Sequence, residues 1–175
     1  MNMKSTRQRY GAVAIGIHWL TAILIVGQFS GGVAAALADA PGKVVILRFH
    51  APLGVAIGVL TLLRIVWWAF FDHKPQDLVG LPRAQVVAAK AVHGLLYVAI
   101  LALAVSGIAL IVVSGAGQAL FGDGAISLPD FAAFGPFYGH VAMAILLLLL
   151  FAAHVAAALH HQFVRRDGIL SRMGI

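Results

Sequence analysis

Four long apolar stretches separated by short polar breaks dominate the pattern of this chain. They run approximately over residues 12–36, 45–71, 86–113 and 137–163. Each exceeds the roughly 20 helical residues that cross a bilayer core about 30 Å thick. The breaks carry residues that interrupt helices: Asp39-Ala40-Pro41-Gly42, then Lys74-Pro75 through Pro82, then a Gly- and Pro-containing connection over residues 114–136. The pattern predicts an all-α fold, an integral-membrane up-down four-helix bundle, with residues 1–175 forming a single transmembrane domain.

Composition agrees. Of 175 residues, 62% are hydrophobic and 10% charged, whereas a soluble domain is about 45–50% apolar and about 25% charged. Lipid must be the solvent for most of the chain. The formal charge of +6 then speaks of orientation and anionic headgroups, and nucleic acid is not an expected partner. Basic residues sit at the N-terminus (Lys4, Arg7, Arg9), in the second connection (Lys74, Arg83, with Lys90 just inside the third span) and at the C-terminus (Arg165, Arg166, Arg172). The other side has Lys43 and Arg48 with Asp39, Asp123 and Asp130. Both termini are therefore expected in the cytoplasm. A rival reading makes the first span a cleaved signal peptide, with a basic start and Ala36-Leu37-Ala38 at its end. Its apolar run is about twice the usual 7–15 residue core, and His18 lies inside it, so a retained span is the expectation.

Cysteine is absent, which excludes disulfides, iron–sulfur clusters, covalently attached c-type haem and thiol catalysis. No Gly-rich nucleotide fingerprint or P-loop is present. A redox cofactor would have to be held by His, Met or Tyr, and the chain has eight histidines.

A polar side chain inside a membrane span is costly and by default marks function, although one isolated histidine can simply bond across a helix interface. Here the spacing decides. His140 and His154 are fourteen residues apart, about 40° short of whole turns and about 21 Å along one helix, so they share a face at two depths. His18 enters the first span from the cytoplasmic side, level with His154. His50 enters the second from the outer side, level with His140. Two stacked bis-histidine b-type haems need that arrangement in a bundle core. Zinc would instead want three or four ligands converging on one point. Small residues (Gly16, Gly54, Gly58, Ala153, Ala156 to Ala158) leave room for a macrocycle, or serve close helix packing or a homodimer.

His93 lies level with His18 and His154; it could replace an axial ligand, line a quinone site or bond a haem propionate. His161 follows His154 by two turns, near a quinone headgroup, a propionate or solvent. His160 and His73 read as solvated. Arg64, the lone charge inside the second span, follows His50 by fourteen residues. It either snorkels to the interface or partners a haem carboxylate or a quinone carbonyl. Arg48 and Lys43 could serve an outer haem or steer an anion toward it. Trp67 and Trp68 suit an aromatic belt.

These residues resemble the bacterial cytochrome b561 family, and are similar to the cytochrome b subunits of hydrogenases and formate dehydrogenases. The resemblance covers nearly the whole chain. It rests on Ile17-His18-Trp19-Leu20, Arg48-Phe49-His50 with Gly54 and Arg64, and His93-Gly94-Leu95-Leu96-Tyr97 with Ser106-Gly107. Gly139-His140 and the block from His154 to His161, followed by Leu170-Ser171-Arg172-Met173, complete it. It implies an inner-membrane protein with axial ligands at His18, His50, His140 and His154. It also implies an electron carrier between an outer-face donor, a small molecule or redox protein, and the quinone pool. One member type oxidises superoxide and reduces ubiquinone, which makes a superoxide:ubiquinone oxidoreductase the enzyme to test. The family often has a glutamate after the outer ligand of the fourth helix; Val141 stands there, which puts any proton role of that glutamate in doubt. Two rivals remain: an anchor subunit relaying electrons for a partner dehydrogenase or hydrogenase, and a haem-free transporter, which would be colourless and lacks the broken helix pair typical of such folds.

Overall fold

The computed structural model describes residues 2–78, 80–122 and 127–175; Asp123, counted above among the outer-side acids, lies outside them. Helix α1 spans Ala12–Leu37. Helix α2 spans Ala40–Val66 and runs on as a wider π turn over Trp67–Phe71. Helix α3 spans Arg83–Ser114, the short α4 spans Ala116–Phe121, and α5 spans Gly135–Leu159 with a π continuation over His160–Arg165. Four of these helices are long and apolar enough to cross a membrane. Among the described residues there is no strand.

The breakers turn out to start helices. The second span begins five residues before the expected position because the Asp39 carboxylate caps α2, accepting from the Gly42 N–H at 2.9 Å. Pro41 falls in the first turn, where a missing N–H costs nothing. Pro136 opens α5 in the same way. The third connection is more than a loop. Gly115, at a left-handed φ of 69° that suits glycine, turns the chain from α3 into α4. Ala116, Ala119 and Leu120 of α4 are buried.

Helix α1 packs on α2, α2 on α3, and α3 on α5, while α5 makes little backbone contact with α1 or α2. The α2–α3 approach is close: a Cβ on Gly58 would stand 2.8 Å from the Ala104 Cβ. Halfway along the bundle, Ile25, Ile57, Ile100 and Leu147 form the core. They follow His18, His50, His93 and His140 by seven residues each, or about 10.5 Å of helix. Outward faces carry large exposed apolar side chains such as Ile23, Val98, Val105 and Leu149, a surface suited to lipid rather than water.

Both chain ends and the connection after α2 close the same end of the bundle. Tyr10 N donates to Arg172 O at 3.1 Å and Gln76 N to Arg7 O at 3.0 Å. The Arg172 guanidinium donates to the carbonyls of Gln8 (2.7 Å) and Gln76 (2.6 Å). Asp72 is buried beneath them. Its carboxylate accepts from Ser5 N (3.0 Å), Ser5 Oγ (2.8 Å), Trp67 Nε1 (3.2 Å) and His73 N (2.8 Å). Burial alone raises the Asp72 carboxyl, but these bonds outweigh it and hold it below its usual value.

Candidate functional site

Two layers of imidazoles stand on either side of the apolar core. In the layer far from the termini, His50 of α2 faces His140 of α5 with ring centroids 6.4 Å apart. In the layer near the termini, His18 of α1 faces His154 of α5 at 6.1 Å. The matching of depths by counting thus brings together the residues it paired. The reason is the seven-residue phasing: each helix returns nearly the same face to the bundle axis after two turns.

Spacing tests what each pair can hold. Two imidazoles on opposite sides of one metal ion, each bonded at about 2 Å, have ring centroids about 6.3 Å apart. Both pairs fit. His93, on α3, lies 5.0 Å from the His154 ring, too near for that geometry. Its Nδ1–H donates to the Ala89 carbonyl at 2.6 Å, so it is tied to its own helix. Among the described residues no group of three or more His, Cys, Asp or Glu could hold a metal ion alone, which disfavours zinc.

Three glycines stand against the rings of the far layer. Added Cβ atoms on Gly31 and Gly32 would stand 3.6 and 3.4 Å from the His50 ring, and one on Gly107 would stand 3.3 Å from the His140 ring. Gly54 has a different neighbour: its missing side chain makes way for Gln28, whose amide donates to the His50 carbonyl at 2.9 Å. Ser106 Oγ lies 3.0 Å from His140 Nδ1. Gln28 was not a sequence candidate. A lone glutamine in an apolar helix was the available signal.

The near layer is charged. Arg64 Nη1 lies 3.1 Å from His18 Nδ1, and its guanidinium is 5.7 Å from the centre of the Tyr97 ring. Arg64 therefore points into the bundle and does not snorkel. Its Nε is buried with no partner, as is Trp68 Nε1. Beside them a cleft of about 650 Å³ is lined by Ile65, Trp68, Ala69, Asp72, His73, Lys74 and Tyr97. His161 is engaged elsewhere: its Nδ1 meets the Asp167 carboxylate at 2.5 Å, with Arg165 at 3.4 Å from the same oxygen. Burial alone raises the Asp167 carboxyl, but the His161 contact outweighs it and the net direction is down. His160 and His73 are exposed, as read from the sequence. Arg48, at the far end, donates to the Leu120 carbonyl and so holds α4 against α2.

A family model described as prokaryotic cytochrome b561 matches residues 9–174. The chain is 29% identical over 185 residues to "Cytochrome b561 homolog 2" of Escherichia coli (strain K12), covering 99% of this chain and 95% of that one. It is 28% identical over 174 residues to "Probable superoxide oxidase CybB" of Yersinia pestis, covering 95% and 96%. A second Escherichia coli (strain K12) relative, "Cytochrome b561 homolog 1", is 27% identical over 189 residues, covering 94% and 96%.

Proposed function

The chain belongs to the prokaryotic cytochrome b561 family, and from that premise we propose that it carries electrons from an outer-face donor to quinone through two bis-histidine haems. At the coarser level it is a multi-pass bacterial membrane protein and a b-type cytochrome of electron transfer. The observation that carries the finer reading is the pair of facing imidazole couples at 6.4 and 6.1 Å. Both lie where α5 stands clear of α1 and α2.

His50 and His140 would hold one haem, and His18 and His154 the other. Haem b, when bound, supplies a one-electron iron couple. The basic end with both termini would face the cytoplasm of an inner membrane. Gly31, Gly32 and Gly107 leave the outer rings free of the Cβ that any other residue would set against them. Ile25, Ile57, Ile100 and Leu147 separate the layers and exclude water between them.

Arg64 has a second task. A neutral imidazole has one lone pair, and His18 turns its own toward Arg64, which can only donate. Were His18 to ligate iron through Nε2 and keep its hydrogen on Nδ1, Arg64 would lose that acceptor, and its guanidinium, with the unpartnered Nε, would be left to bind a carboxylate such as a haem propionate. The neighbouring cleft is of a size and apolarity suited to a quinone ring. Trp68 lines this cleft, and its N–H is buried without a partner. His161 is held by Asp167, and Trp68 and Tyr97 are the aromatic side chains that line this cleft.

With superoxide as donor, two anions each give up one electron and leave as dioxygen. One ubiquinone takes the two electrons and two protons from water to become ubiquinol. Lys43 and Arg48 supply positive charge at the outer face to attract the anion. The test is stopped-flow reduction of the purified chain by superoxide, with ubiquinol formation followed in the same sample. Reduction of haem with stoichiometric ubiquinol supports the reading. Fully reducible haem that superoxide leaves oxidised rejects superoxide as donor, and unchanged ubiquinone rejects quinone as acceptor.

A further inference from the structure

Ser106 has one proton to give and two oxygens or nitrogens in reach. The Leu103 carbonyl lies 3.2 Å from its Oγ and can only accept, so the Ser106 hydroxyl donates there. The Oγ lone pairs then face His140 Nδ1 at 3.0 Å. With its proton directed to Leu103, Oγ is placed to accept from Nδ1–H, the tautomer that leaves Nε2 free to ligate. The lone pair of the neutral ring is thereby fixed on Nε2. The next residue, Gly107, faces the same Cε1–Nδ1 edge of the ring: a Cβ there would stand 3.3 Å from Cε1 and 3.6 Å from Nδ1.

No such partner serves His50. Its Nδ1 is buried and unpartnered, and a Cβ on Gly31 would stand 3.6 Å from it. The two members of the outer pair are thus held unequally, one by the Ser106 hydroxyl with the Leu103 carbonyl beside it and the other without a polar partner at Nδ1.

We propose that Ser106 is the positioning residue of the outer haem site, setting the tautomer and electron-donating strength of His140. This rests on the dihaem reading above. A hydrogen bond accepted from Nδ1–H makes the imidazole a more basic ligand, which favours ferric over ferrous iron. Losing the acceptor weakens the ligand and raises the potential of that site alone. Outer-shell partners of this kind typically change metal binding by about 10–100-fold. A tenfold loss of ferric preference is a shift of about 59 mV for one electron.

The experiment is a spectroelectrochemical titration of the purified holoprotein with Ser106→Ala, Ser106→Thr and the unchanged chain. The component missing from His140→Ala identifies the outer site, and the inner site serves as the internal standard. Ser106→Ala should raise the outer potential by about 59 mV or lower outer-haem occupancy about tenfold. Ser106→Thr, which keeps the hydroxyl, should restore both, and the inner potential should stay fixed. Ser106→Ala leaving the outer potential and occupancy unchanged would overturn the proposal. So would Ala and Thr acting alike, or both potentials moving together. A colourless unchanged chain would refute the dihaem reading itself, a different result from two haems indifferent to Ser106.

Discussion

Replacing Asp72 with alanine should unfasten the N-terminal segment from the bundle end. The carboxylate is 6% exposed and gathers Ser5 N, Ser5 Oγ, Trp67 Nε1 and His73 N. Only the Ser5 bonds join segments distant in sequence, 67 positions apart. Hydrogen bonds to a charged group contribute about 1.5–3 kcal/mol each. Water can enter at a bundle end and pair with the freed donors, so a net loss of about 3 kcal/mol is reasonable. That multiplies the open population of the segment about a hundredfold. Hydrogen exchange in nanodiscs reads it directly. The Gly11 amide, bonded to Ser5 Oγ at 3.0 Å, and the Ala12 amide, bonded to Asn2 O at 2.9 Å, should exchange faster in Asp72→Ala, with the core of α3 unchanged. The pH dependence has a definite sign. Because the folded carboxyl lies below its usual value, its contribution is present above the unfolded value of about 3.9 and is lost as pH falls through the folded value. The unchanged chain should therefore loosen in this segment only in strong acid, and Asp72→Ala should show no such step. Wild-type exchange at Gly11 and Ala12 in the variant would refute the anchoring role.

Other substitutions separate packing from chemistry. Gly58→Ala sets a Cβ 2.8 Å from that of Ala104 and should cost about 1–3 kcal/mol; thermal unfolding in detergent should show Ala104→Gly recovering most of it. Gly107→Val crowds the His140 ring and should deplete one haem while sparing the other, measured by pyridine haemochrome assay. Arg64→Gln removes the cation beside His18 and should shift the inner potential with both haems retained, whereas an effect confined to the outer potential would contradict its placement. His161→Ala should leave both potentials in place, since its side chain is committed to Asp167.

The histidine layers were legible because counting along helices gives depth, and depth in a bilayer bundle nearly decides who meets whom. His18, His50, His140 and His154 needed no more than that. Ser106 was visible only as part of a motif, because a serine eight residues from a helix end says nothing of the ring it touches on another helix. Asp72 drew no assignment from the sequence; its carboxylate is bonded by Ser5, and no local pattern announces a partner 67 positions away. The contact of His161 with Asp167 was hidden for a similar reason, since the chain turns back at Arg166, at a left-handed φ of 53°, and brings Asp167 to it. Asp39-Ala40-Pro41-Gly42 carried its signal openly: a capping carboxylate followed by proline starts a helix as readily as it ends one.

The most direct measurement is a reduced-minus-oxidised optical spectrum with haem quantification on the detergent-purified chain and its single histidine variants. Two b haems per chain are expected, the same one missing in His50→Ala and His140→Ala, the other missing in His18→Ala and His154→Ala, and both kept in His93→Ala. A colourless protein from haem-competent cells, a single haem, or loss of a haem in His93→Ala with retention in His18→Ala would contradict the paired-imidazole assignment.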